Sequence, residues 1–207
     1  LERGVDPQPL RKKIADITNH MQATERDTQP DPSYMKRQTQ VNENVRAILI
    51  DWVLQVHGKF KLLPETLFIA VNLVDRFMSL HRISKDEVQL VGVAAMLIAT
   101  KYEEIYPPTV KDFIFMSKNA YSKAQILDME MQILSCIEFQ ICETSSYRFL
   151  ERYSKIAKAD SVVFYLAQYL LELALLDSKM NQYPPSLQAS SALYVAMRVS
   201  MADTLQR

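Results

Sequence analysis

The stretch VRAILIDWVLQV, residues 45–56, has nine apolar and three polar positions, with no Gly or Pro inside it. Apolar almost all round, it predicts a helix that sits inside a protein. Yet it carries Arg46 near its start and the only tryptophan of the chain, Trp52. The same helical period runs through most of the sequence. Leu10, Ile14, Ile17 and Met21 recur at i, i+4, i+7 and i+11, which predicts an amphipathic helix over 8–26. TQPDPSY then breaks it with two prolines. Further helices are predicted at roughly 42–57, 65–80, 84–103, 108–117, 122–137, 144–156, 160–178 and 185–203. Ser84 with Glu87 fits a capping box, and Pro108 suits a helix start.

The expected fold class is therefore all-α. Three glycines and no Asn-Gly or Asp-Gly pair leave little material for hairpins. A weak internal repeat is visible. ETLFIAVNLVDRFM (65–78) and VVFYLAQYLLELALLD (162–177) are long apolar helices near an aspartate, and a helix rich in small residues follows each. Small residues let neighbours approach on several sides, so both followers read as central helices. The expected organisation is an N-terminal helix and linker (1–32), a five-helix unit (33–141) and a second unit (142–207) that stops after about three helices, as though cut short.

Composition narrows the chemistry. With 48% hydrophobic residues the chain can bury a core. Lys+Arg and Asp+Glu are both 24, and a net charge of zero argues against bulk binding to nucleic acid or an anionic membrane. No apolar run is long enough to span a bilayer and no signal-peptide pattern opens the chain. Cys136 and Cys142 show no disulfide framework, so a reducing, intracellular compartment is expected, with both thiols buried and inert. His20, His57 and His81 lie far apart, and no zinc spacing, phosphate loop or acid/base pair appears. The adjacent Glu103 and Glu104 point about 100° apart on a helix and do not form such a pair. No metal or cofactor is implied and no constellation supports an enzyme. What stands out is Lys101 at the end of an apolar helix and Glu130 among apolar neighbours, two charges that would converge on one exposed site.

Taken in order, VRAILIDWVLQV, ETLFIAVNLVDRFM, QLVGVAAMLIATKYEEIYPP and MEMQIL resemble the successive helices of a cyclin box, over roughly residues 34–141. The likeness continues more weakly through YRFLERYSKIAKAD and YLLELALLD into a second box. LIDWVLQV, KFKLLPETLF, QLVGV and SKIAKAD look most like a B-type, mitotic cyclin, with the A-type close behind. The resemblance implies a regulatory subunit that binds and activates a cyclin-dependent protein kinase in nucleus and cytoplasm. It implies polar kinase anchors at Lys101 and Glu130, and an apolar pocket from Ile98, Tyr102, Leu134, Phe139 and Ile141. The helix at 8–26 matches one that packs beside the boxes and often touches the kinase. It pairs Arg46 with Asp75. It also implies a docking patch for Arg-x-Leu substrates or inhibitors from Val45, Ile48, Leu49, Trp52, Gln55 and Gln89. Residues 45, 48, 49 and 52 do share a helix face, whatever the family; without the resemblance that stripe would read as core. Val45 stands where the family usually has methionine, and Gln55 where a carboxylate would pair the peptide's arginine. The alternatives are a DNA-binding, transcription-factor-like cyclin fold, which should be more basic, and a helical enzyme without a familiar motif.

Overall fold

The computed structural model of the chain describes residues 7–141 and 144–205, with side chains between 13 and 202. Its described residues are helical and hold no strand, as the pattern predicts. Helix α1 (Pro7–Thr24) leads through a short 3-10 turn (Tyr34–Arg37) into α2 (Glu43–Phe60), α3 (Pro64–Leu80), α4 (Val88–Glu103), α5 (Val110–Met116) and α6 (Lys123–Cys136). A second unit follows: α7 (Ser146–Ala157), α8 (Ser161–Ala174), a 3-10 turn (Ser178–Gln182) and α9 (Pro185–Leu205).

Local chemistry sets the boundaries. The Asn42 side chain accepts a hydrogen bond from Val45 N at 3.0 Å and opens α2, which closes on a left-handed Lys61. Pro64 begins α3, where a missing N–H costs nothing. The Glu104 carboxylate reaches back to accept from Leu63 N (2.8 Å) and Thr66 Oγ1 (2.6 Å), so it caps α3 from the end of α4. Ser122 and Gln125 exchange capping bonds at α6, and Asp160 accepts from Val163 N at α8. Helix α4 starts four residues later than the pattern suggests. Ser84 N and Oγ both donate to Glu87, so this pair closes a turn ahead of the helix.

Helix α4 is the hub of the first unit. Leu90 through Thr100 are all buried, against α2, α3 and α6. Gly92 makes the approach of α2 possible: a Cβ there would lie 2.7 Å from Leu49 Cδ1 and 3.6 Å from the Trp52 ring. In the second unit α9 packs on α7 and α8 around Ala189, Ala192, Leu193 and Ala196. Its outer face is open, with Leu187, Tyr194 and Val195 exposed. Phe68 of α3 belongs to this second core, and the contact of α3 with α7 joins the units.

Candidate functional site: a paired charge beside exposed aromatics

The structure brings Lys101 and Glu130 together across 29 residues of sequence. Lys101 Nζ donates to both Glu130 carboxylate oxygens, at 2.8 and 2.9 Å. Lys101 stands half in solvent, at the end of α4. Glu130 does not lie on an exposed face, as its polar character suggested; it is 8% exposed, in a notch of α6. Around them Tyr102 is 48% and Phe139 60% exposed. Phe139 follows Glu138 in a left-handed pair (φ 53° and 58°) that ends α6 and starts the loop outward. Leu134 and Ile141 are half-buried against the core. Ile98 departs from the expected pocket: at 2% exposed it is part of the core and presents no surface. Helix α4 is apolar on every side, so its sequence holds no phase that separates an inner from an outer face.

Beside this cluster runs an open groove of about 820 Å³, walled by α1 and α7 and floored by Tyr102, Phe139 and Ile141. Ile17 of α1 is 58% exposed there, so the predicted apolar stripe of α1 is only partly covered. Arg148 of α7 ties the second unit to this region. Its guanidinium pairs with Glu65 of α3 (2.8 Å), Glu103 of α4 (3.2 Å) and Glu151 (3.1 Å). Burial pushes the Glu103 carboxyl above its usual range, and Arg148 opposes that shift.

A second surface lies on α2. Ile48 is 70% exposed, Val45, Trp52 and Gln89 are half-buried, and Gln55 is exposed. Leu49, at 3%, is beneath the surface rather than on it, wedged toward Gly92. Gln55 Nε2 donates to the exposed Asp51 carboxylate at 2.8 Å. A negative charge therefore stands one helical turn before Gln55 on this surface.

Arg46 of α2 and Asp75 of α3 form a buried pair. Arg46 Nε and Nη2 donate to the two Asp75 oxygens at 2.7 and 2.6 Å, and both side chains are nearly inaccessible. Asp75 also accepts from Tyr34 OH (2.6 Å) and Asn181 Nδ2 (3.0 Å), while Arg46 Nη1 donates to the carbonyls of Leu175 and Leu176. Burial alone disfavours the Arg46 cation; the Asp75 carboxylate outweighs it and holds the guanidinium pKa above its ordinary value. Burial, then the charge of Asp75, raises the Tyr34 phenol. Tyr34, Asn181 and Arg148 were not singled out in the sequence. A tyrosine in a short polar linker and an asparagine beyond α8 carry no periodic signal.

The thiol expectation changes in one respect. Cys136 is half-buried rather than buried, and its Sγ lies 3.2 Å from His81 Nδ1, which stacks on Phe77. Burial pushes the thiol upward, with Arg76 opposing. Cys142 lies outside the described residues. Among the described residues no group of three or more metal-binding side chains occurs, and no helix is long and apolar enough to cross a membrane.

Comparison with known proteins gives a consistent picture. The cyclin N-terminal domain matches residues 16–142 and the cyclin C-terminal domain residues 144–206. The G2/mitotic-specific cyclin cdc13 of Schizosaccharomyces pombe is 43% identical over 195 residues, covering 94% of this chain and 40% of that protein. The G2/mitotic-specific cyclin-B1 of Oryzias luzonensis is 44% identical over 194 residues, covering 94% and 48%. The chain thus spans less than half the length of these relatives. In fold it is similar to a viral cyclin from herpesvirus saimiri, with a TM-score of 0.80 at 20% identity, covering 88% of this chain and 81% of that one. A chain of the yeast RNA Pol II CTD kinase CTDK-1 complex gives 0.65 at 15% identity, covering 87% and 60%.

Proposed function

Since the chain belongs to the cyclin family, we propose that it binds and activates a cyclin-dependent protein kinase in the control of G2 and mitosis, in nucleus and cytoplasm. The observation that carries this reading is the Lys101–Glu130 pair standing beside exposed Tyr102 and Phe139. A half-exposed ammonium and a carboxylate offer a donor and an acceptor to a partner's backbone, and the exposed rings offer apolar contact. A kinase is active only when its strand lysine is paired to the glutamate of its regulatory helix. A rigid surface that binds that helix in the paired position shifts the population toward the active state and does no chemistry itself. The surface of Val45, Ile48, Trp52, Gln55 and Gln89, floored by Leu49, would serve as the docking site for Arg-x-Leu substrates or inhibitors.

The test is a charge swap. Lys101→Glu combined with Glu130→Lys keeps an ion pair inside the protein but inverts the polarity shown to the kinase. Lys101→Ala alone removes the donor. The swap should lose kinase activation by on the order of a hundredfold, the scale of two interface hot-spot contacts, and Lys101→Ala by about tenfold, with melting temperature close to wild type for at least one. A well-folded swap that activates its kinase normally would refute the site.

A further inference from the structure

We infer that Arg148 of the second unit is a positioning residue for the kinase site of the first: by holding Glu103 it fixes the last turn of α4, and with it Lys101 and Tyr102, in the arrangement the kinase binds. This rests on the functional reading above. Glu103 is the last residue of α4. It directly follows Tyr102 and stands two residues after Lys101. A helix C-terminus carries partial negative charge, so a carboxylate is disfavoured there. Yet α4 closes on two in succession. Glu104 is satisfied within the first unit, by Leu63 N at 2.8 Å and Thr66 Oγ1 at 2.6 Å. Glu103 is satisfied from outside it, by Arg148 Nη2 at 3.2 Å.

The first unit has no cation of its own for this task. Lys101, the nearest in sequence, is committed to both oxygens of Glu130. Glu65, in the first turn of α3, brings a further carboxylate to the same place, and Arg148 Nη1 meets it at 2.8 Å and Glu151 of α7 at 3.1 Å. One guanidinium thus serves carboxylates on α3, α4 and α7, which its planar fork allows and a single ammonium does not. Among the described residues no other cation pairs with Glu65 or Glu103. Arg148 is 46% exposed, and ion pairs so open to solvent contribute little stability. What the cluster supplies is position. Without the cation, Glu65, Glu103 and Glu104 repel one another, and the turn that carries Lys101 and Tyr102 is the part able to yield, since residues 104–109 beyond it hold no helix. Burial raises the Glu103 carboxyl, Arg148 opposes the rise, and Glu65 and Glu104 add to it. Removing Arg148 takes away the one opposing cause, so the carboxyl moves further up and its neutral form, which does not repel, is reached at higher pH.

The test reads affinity of the full chain for a purified cyclin-dependent kinase against pH, with Lys101→Ala as the reference for the anchor itself. Arg148→Ala should bind about fivefold more weakly than wild type near pH ~8, at the low end of coupling between sites. Its amides over 101–104 should exchange faster in the free protein, and its melting temperature should stay close to wild type. The deficit should shrink as pH falls toward about 5.5, because protonation of Glu103 relieves the repulsion. Glu65, Glu104, Glu151 and Tyr147 face the cluster, and His20 and Asp27 line the open space beside Arg148; all are present in both proteins, so the difference between variant and wild type isolates the arginine. Arg148→Lys, which keeps the charge and loses the fork, should lie between the two, and carries the same readings if Arg148→Ala melts early. An arginine that only supported the fold would lower affinity and melting temperature together, with a deficit that does not change with pH; that result would overturn the inference, as would wild-type affinity in Arg148→Ala. If Lys101→Ala binds like wild type, the functional reading falls and this inference with it. If Lys101→Ala is weakened while Arg148→Ala matches wild type at every pH, only this inference falls.

Discussion

Replacing Arg46 by alanine is the most demanding perturbation of this fold. The substitution leaves the Asp75 carboxylate buried with only Tyr34 OH and Asn181 Nδ2 as donors, and strands the carbonyls of Leu175 and Leu176. Breaking a buried pair by removing one partner costs about 3–5 kcal/mol, because the survivor is an uncompensated charge. Domains of this kind hold only about 5–15 kcal/mol in total. At roughly 2–4 °C per kcal/mol for a chain of this size, the melting temperature should fall by about 6–20 °C. Because the network joins α2 and α3 to the chain after α8, both units should loosen, not one. Circular dichroism melts would read the global loss, and amide exchange over 161–182 would read the second unit. Arg46→Met with Asp75→Leu removes both charges and should cost much less than the two single variants added together, since nothing charged stays behind. A melt of Arg46→Ala indistinguishable from wild type would mean that the arginine is solvated and the network does not hold the fold.

Two further outcomes follow from particular contacts. Trp52→Ala should weaken docking of an Arg-x-Leu peptide about tenfold or more while sparing kinase activation, and Asp51→Asn should flatten the salt dependence of that docking, measured by fluorescence anisotropy of the labelled peptide; unchanged peptide affinity in Trp52→Ala would remove the patch. The backbone N–H of Ser33, then Arg37, then the Ser33 hydroxyl hold Asp31 down to about 2; a folded value below the unfolded one contributes stability above about pH 4 that is lost as pH falls toward 2. Asp31→Asn should therefore lose less stability than wild type in acid melts across that window, and equal losses would contradict the assignment.

Much of this molecule is legible in its sequence, for reasons that can be stated residue by residue. Helices α2, α3 and α6 are bounded by Asn42, Pro64 and Ser122, whose side chains or rings act on their own backbone, so the signal is local. The start of α4 was misplaced because Ser84 and Glu87 bind each other in a turn as well as they would in a cap. Ile98 was misplaced because an all-apolar helix has no hydrophobic phase. The partners of Asp75 come from positions 41 and 106 residues away in sequence, within a linker and a loop where no period exists.

The same contacts explain how the two proposed binding surfaces can share one small core. Helix α2 carries the exposed Ile48 and half-buried Trp52 on one side and the buried Arg46 on another. The groups proposed to face the kinase sit instead at the end of α4 and midway along α6, and the end of α4 is held by Glu104 against α3 and by Arg148 through Glu103. Helix α2 packs on α4 at Gly92 and is tied to α3 by the Arg46–Asp75 network. Desolvating that network is expensive, and an apolar replacement of similar shape would pack at less cost. Its geometry supplies what an apolar contact lacks: the guanidinium fork fits one carboxylate and, at right register, two specific carbonyls. It ties α2 to the chain after α8, and so helps fix how the second unit, with Arg148, sits on the first.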